Sequence, residues 1–151
     1  LPWLFAAGLA GALLIGASGA IAALGDTLFP VDSLAEGIAN DFAAASHLFV
    51  QLRVFHPIIA VVVGAYTVAL GWFAAQQRPG RATWLAAVAL TALFAAQFVV
   101  GLVNLVLLAP VAMQLIHLLL ADLVWIAMVI SATVALAAER QPVLQMSRIE
   151  A

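Results

Sequence analysis

Two histidines, His56 and His117, are the residues of this chain whose type and placement suggest chemistry. Each lies inside a long apolar segment, where a polar imidazole is costly unless it has a partner. Neutral imidazole is a common metal ligand and a good axial ligand for haem iron. Two imidazoles at one depth on neighbouring helices could therefore bind a haem iron from both sides, provided that the fold brings them together.

The composition indicates an integral membrane protein. Hydrophobic residues make up 67% of the 151 residues and charged residues only 8%, whereas roughly a quarter of a soluble domain is charged. The chain has no lysine and no cysteine, which excludes disulfides, thiolate metal sites and c-type haem attachment. With five basic residues it offers no nucleic-acid footprint. We therefore expect the lipid bilayer as its environment and no nucleic acid among its partners.

Four apolar stretches are long enough to cross a bilayer, which takes about 20 helical residues. They cover roughly residues 3–24, 47–75, 82–108 and 111–138. The sequence thus predicts an all-α membrane protein, a four-transmembrane-helix bundle that forms a single domain over residues 1–151.

Residues 25–46 form the one long loop between the predicted spans, and it carries four acidic residues. Ser33, followed by Glu36 in the capping-box position, predicts a short amphipathic helix over residues 33–42. Four of the five arginines fall on the other side of the membrane by parity, at Arg78, Arg81, Arg140 and Arg148. The positive-inside rule then predicts that both termini are cytoplasmic and that the acidic loop is on the outer face.

The second and fourth spans run parallel, which predicts that His56 and His117 lie at a similar depth, on the order of 10 Å below the outer surface. Below His56, a stripe of small residues on one helix face predicts a cleft for a flat cofactor, and it comprises Ala60, Gly64, Thr67 and Gly71. We therefore expect a bis-histidine haem, with the two histidines as axial iron ligands. The alternative is that each histidine only hydrogen-bonds to a neighbouring helix.

Four other polar positions bear on this hypothesis. Arg53 lies one turn above His56, where it could bind haem propionates, and it could equally be a snorkelling interfacial arginine. Asp122 is ionisable within a span and so a functional candidate, although it points about 140° away from His117. His47 is expected to be an interfacial residue. Gln97, which shares a face of the third span with Gly101 and Asn104, is expected to hydrogen-bond across the bundle, with a hydrogen bond to a ligand as the alternative.

The stretch QFVVGLVNLVLLAPVAMQLIHLLLADLVWIAMV (97–129) resembles the last two membrane helices of haem A synthase. The segments GASGAIAALGDTLFP (16–30) and RVFHPIIAV (53–61) resemble the first half of the same C-terminal domain. The resemblance implies that the chain is the C-terminal half of a longer, eight-helix protein of the prokaryotic plasma membrane. It also implies that His56 and His117 match the histidine pair of the bundle that holds a b-type haem cofactor.

One departure from the family pattern concerns catalysis. The catalytic bundle of the family has a glutamate three residues before its first histidine and an arginine after it. Arg53 and Pro57 occupy these positions here. The resemblance therefore implies a bundle with a cofactor or electron-transfer role in converting haem O to haem A, without catalytic residues of its own. A second haem-binding half or other membrane subunits would be its partners.

Two other functions remain open at this point. The chain could be a standalone b-type cytochrome subunit of a respiratory or photosynthetic complex, or a cofactor-free structural membrane subunit. The expected haem b sets the first two functions apart from the third.

Overall fold

The chain folds into an antiparallel bundle of four long helices with two short helices at one end. The computed structural model describes the backbone of residues 1–149 and the side chains of residues 1–137. The helices, in chain order, are α1 (Pro2–Leu28), α2 (Leu34–Phe42), α3 (Leu48–Arg53), α4 (Phe55–Gln77), α5 (Arg81–Val106) and α6 (Val111–Ile149). The side chains of Arg140 and Arg148 lie outside the described residues, and the predicted orientation of the termini stays a prediction.

Four helical segments are long and apolar enough to cross a membrane within the described residues. They are Pro2–Leu28, Leu48–Gln77, Arg81–Val106 and Val111–Ala137. These confirm the four predicted spans, with the first one extended by about one turn. Each span is apolar around its whole circumference. Packing in the bundle buries only one side of each helix, so many large apolar side chains remain exposed on the other side.

The second span is interrupted near its start, where α3 ends at Arg53 and α4 begins at Phe55. Pro57 explains the break, because it has no N–H to donate to the carbonyl of Arg53 and its ring crowds that carbonyl. His56 thus lies in the first turn of α4, just below the break.

The predicted short helix in the long loop is confirmed as α2. The Ser33 hydroxyl accepts a hydrogen bond from the Glu36 amide at 3.2 Å, and the Glu36 carboxylate accepts one from the Asp32 amide at 3.0 Å. This is a capping box in which the carboxylate reaches one residue further back than usual.

The tightly packed core lies in the half of the bundle opposite α2. One cluster joins Phe5 of α1, Leu70 of α4 and Ala135 of α6, and a second joins Leu90 of α5 to Met128 of α6. Helices α5 and α6 are connected by a tight turn in which Leu108 and Ala109 have left-handed backbone angles, with φ of 60° and 53°. The side chain of Gln114 donates to the Ala109 carbonyl at 2.6 Å and so holds this turn.

Candidate functional site

His56 lies between α4 and α1, where one ring nitrogen is already engaged. Its Nδ1 is 3.1 Å from the Ser18 hydroxyl, and that hydroxyl donates its proton to the carbonyl of Ile15 at 2.9 Å. With its one proton directed to the Ile15 carbonyl, the hydroxyl can accept from Nδ1–H of His56, and we assign the tautomer on this basis. The proton of this imidazole is thereby placed on Nδ1, and the lone pair is left on Nε2, the nitrogen free to bind a metal.

Gly19 makes room for this ring. A Cβ built on Gly19 would lie 3.0 Å from Cε1 of His56, closer than most real side-chain contacts. Gly16, one turn away on the same helix, has no atom within 4 Å of a built Cβ. The missing side chain at Gly19 therefore leaves space for the His56 ring, whereas a side chain at Gly16 would meet no atom.

His117 of α6 lies against α5 in a similar way. The amide nitrogen of Gln97 is 3.3 Å from Nε2 of His117. In this amide orientation the Gln97 nitrogen donates and Nε2 of His117 accepts, which corresponds to the Nδ1–H tautomer; the opposite amide orientation would pair with Nε2–H. A Cβ built on Gly101 would lie 2.8 Å from Cε1 of this ring, so the imidazole packs directly on the α5 backbone.

Three buried polar atoms around His117 have no hydrogen-bond partner among the described residues. They are Nδ1 of His117, Oε1 of Gln97 and Oδ1 of Asn104. Buried polar groups are rarely left unpaired, and an exception calls for an explanation. These atoms belong to α5 and α6, the two helices that meet at the His117–Gln97 contact.

The two imidazoles face each other across the bundle. Their ring centroids are 6.4 Å apart and their planes make an angle of 87°. A metal ion about 2 Å from one nitrogen of each ring would hold the centroids about 6 Å apart. The structure thus brings His56 and His117 together, as the prediction of a similar depth requires, and the distance between their centroids is compatible with two ligands of one metal.

Two donors alone make an incomplete site for a bare metal ion. In the part of the chain with described side chains, no group of three or more histidine, aspartate, glutamate or cysteine residues is placed to hold a metal. A haem supplies the four equatorial nitrogens itself and needs one or two protein ligands. The ligand set therefore fits haem iron better than a free cation.

The predicted cleft below His56 is not observed. Gly64 is covered by the ring of Phe94, with which a Cβ would overlap, and Gly71 packs against Leu90 and Ala87. Small residues let α4 and α5 approach closely, as they do in many membrane helix pairs. The stripe Ala60, Gly64, Thr67 and Gly71 thus reflects helix packing, and the predicted cleft was wrong because small residues suit both uses.

Arg53 has partners that its sequence position did not suggest. Its guanidinium donates to Asp41 at 2.5 Å, to Asp26 at 2.7 Å and to the Gly37 carbonyl at 3.1 Å. The side chain is only 11% exposed, so this ion-pair cluster is largely shielded from water. It ties α2 and the end of α1 to α3, whose last residue lies three positions before His56 in the chain. A role of Arg53 in binding propionates stays a prediction.

The remaining polar candidates lie away from the histidine pair. His47 caps α3, since its Nδ1 accepts from the Phe49 amide at 3.2 Å, and its ring stacks on Phe29 at 4.8 Å. Asp122 is exposed on the side of α6 that faces away from the rest of the bundle. Sequence patterns did not indicate Ser18, because a serine among the small residues of α1 gives no local signal of a partner 38 residues away.

Most of this chain aligns with proteins that are already known. The family model of the COX15-CtaA cytochrome oxidase assembly proteins matches residues 1–129. Two curated relatives, both named protoheme IX farnesyltransferase, come from two strains of Thermus thermophilus and are 48% and 47% identical over 129 residues. This stretch is 85% of the present chain and 21% of each relative, so the chain spans about a fifth of their length.

No solved structure matches the chain. The family match covers both histidines, Ser18, Gln97 and the ion-pair cluster. It agrees with the resemblance to haem A synthase carried by residues 97–129, and it connects this membrane protein with haem A biosynthesis. The chain belongs to the COX15-CtaA family of cytochrome oxidase assembly proteins.

Proposed function

We propose that this chain is the haem b-binding bundle of a haem A synthase-like oxidoreductase, with His56 and His117 as the axial ligands. The observation that carries the proposal is the facing pair of imidazoles, 6.4 Å apart between centroids. The contacts with Ser18 and Gln97 are compatible in both rings with the Nδ1–H tautomer, which leaves the lone pair on Nε2 for iron.

Each element around the pair has a defined task in this proposal. Ser18 orients His56, while Gly19 and Gly101 let the Cε1 edges of the two rings approach the neighbouring helices closely. A haem held by two histidines takes up and releases one electron. His56 and His117 would both be taken up in holding such a haem, which supports an electron-transfer role over direct oxidation of a substrate.

Two further features support a haem-related role. Arg53 occupies the position at which the catalytic bundle of the family has a glutamate, which suits a cofactor-holding bundle. The curated relatives are named for an enzyme that acts on protohaem IX. In the proposed orientation, the termini are cytoplasmic and the acidic segment with α2 is on the outer face of a prokaryotic plasma membrane.

The second candidate is a standalone b-type cytochrome subunit. The same histidine geometry supports it, and it differs only in the partner that receives the electron. A gene whose open reading frame encodes a further four-helix bundle with a Glu-x-x-His-Arg motif would favour the haem A synthase-like function.

The test is a dithionite-reduced minus oxidised absorption spectrum of the purified protein. We expect a b-type α-band in the unaltered chain and in His47→Leu, and its loss in His56→Leu and His117→Leu. Circular dichroism of each variant shows whether the bundle is still folded. Absence of the band from the unaltered, folded protein, or its survival when both histidines are replaced, would refute the proposal.

A further inference from the structure

Asp122 is an acidic side chain on the outward surface of a membrane-spanning helix. It lies near the middle of the span Val111–Ala137 and is exposed. At 100° per residue it is on the opposite side of α6 from Ser131, which is buried in the bundle. Its neighbours one and two turns away are all exposed and apolar, namely Leu115, Leu118, Leu119, Trp125, Ile126 and Val129.

A carboxylate in this position is unfavourable if lipid surrounds it. Ionisable groups within spans almost always face a protein interior or a water-filled cavity, and they are paired there. Asp122 has no hydrogen-bond or ion-pair partner among residues with described side chains. The apolar residues around it form a continuous surface with one polar group at its centre.

The chain itself has no basic group that suits this position. It has no lysine, and its five arginines all lie near an end of a span or beyond one. His56 and His117 pack against each other inside the bundle, and His47 caps α3 at the start of the second span. A second copy of the chain would therefore present no cation to Asp122 at this depth.

We propose that the outward face of α6 around Asp122 docks a membrane-spanning helix from outside these 151 residues, and that this helix carries a lysine, arginine or histidine at mid-bilayer depth. Charge complementarity argues for the basic residue, and the exposed leucines supply the flanking packing surface. The curated relatives, in which the matched stretch is 21% of the chain, have ample additional sequence from which such a helix could come.

The experiment places a photo-crosslinking amino acid, benzoylphenylalanine, at Leu118 or Ile126 in membranes of the source organism. Matched controls place it at Leu13 of α1 and Val62 of α4. These two side chains are each 64% exposed, compared with 58% for Leu118 and 51% for Ile126. We expect a discrete crosslink from the α6 positions alone, mapped by mass spectrometry to a membrane helix with a basic residue. Asp122→Leu should reduce its yield about threefold to thirtyfold, and Asp122→Glu should retain it.

Four results would overturn the proposal. These are a crosslink to a second copy of the chain, a crosslink to lipid only, a crosslink to a helix without a basic residue, and a crosslink whose yield Asp122→Leu does not change. The docking surface does not depend on haem. The α-band is measured in the same samples, so failure of the docking proposal and failure of the haem proposal are separate outcomes.

Discussion

Nδ1 of His56 lies 3.1 Å from the Ser18 hydroxyl, which donates to the Ile15 carbonyl of its own helix and can accept from Nδ1–H. Removing this acceptor in Ser18→Ala should make the imidazole a weaker donor to iron, because a hydrogen bond at Nδ1 raises ligand basicity. A weaker donor stabilises ferric iron less, so the midpoint potential should rise. Haem affinity should fall about tenfold.

Redox titration and haem titration of the purified variant check this prediction. Ser131→Ala is the matched control, since Ser131 also bonds to its own helix, at the Ala127 carbonyl, and lies in the core away from the histidines. An unchanged potential and affinity in Ser18→Ala would show that Ser18 does not position His56.

Glycine-to-alanine changes beside the imidazoles should act through shape alone. Gly101→Ala places a methyl group 2.8 Å from the present position of the His117 ring, and the ring must move away. We expect a lower haem occupancy per chain, measured by the pyridine haemochrome assay. Gly16→Ala adds the same methyl group in open space and should leave occupancy unchanged. Equal occupancy in the two variants would contradict the proposed packing of the ring.

Gln97 competes for the nitrogen that would bind iron. Its amide lies 3.3 Å from Nε2 of His117, and that contact must be given up on coordination. A hydrogen bond contributes about 0.5–1.5 kcal/mol net, so Gln97→Leu should raise haem affinity about twofold to tenfold. Titration of the haem-free protein with haemin measures this. A large loss of affinity would instead assign Gln97 a supporting role toward the ligand.

The ion-pair cluster of Arg53, Asp26 and Asp41 should contribute to stability. Arg53→Met leaves two carboxylates without their cation in a shielded position, which should cost about 3 kcal/mol in the free energy of unfolding. Replacing both aspartates by asparagine in the Arg53→Met background should recover most of the loss. Chemical or thermal unfolding in detergent, followed by circular dichroism, gives the comparison.

The same set of variants tests the predicted contact of Arg53 with haem propionates. If Arg53 acts only through the ion-pair cluster, the triple variant should bind haem as the unaltered protein does. A haem affinity that stays low after stability is restored would support a direct contact with the cofactor.

Sequence patterns predicted the parts of this fold that depend on local rules. Apolar runs indicated the four spans, and Ser33 with Glu36 indicated α2, because hydropathy and helix capping act over a few residues. Matched depth of His56 and His117 followed from parallel spans. The partners of Arg53, the role of Ser18 and the covering of Gly64 by Phe94 depend on how each helix is rotated about its axis, and uniformly apolar helices leave that rotation unspecified.

The EPR spectrum of the ferric protein tests bis-histidine haem ligation most directly. Two axial imidazoles give low-spin iron, and near-perpendicular ring planes, as in the 87° observed here, keep two iron d orbitals close in energy and make the signal strongly anisotropic. We predict this low-spin signal at one haem per chain, and its loss in both His56→Ala and His117→Ala. A high-spin signal in the unaltered protein, or a low-spin signal that persists in either variant, would contradict the assignment of these two ligands.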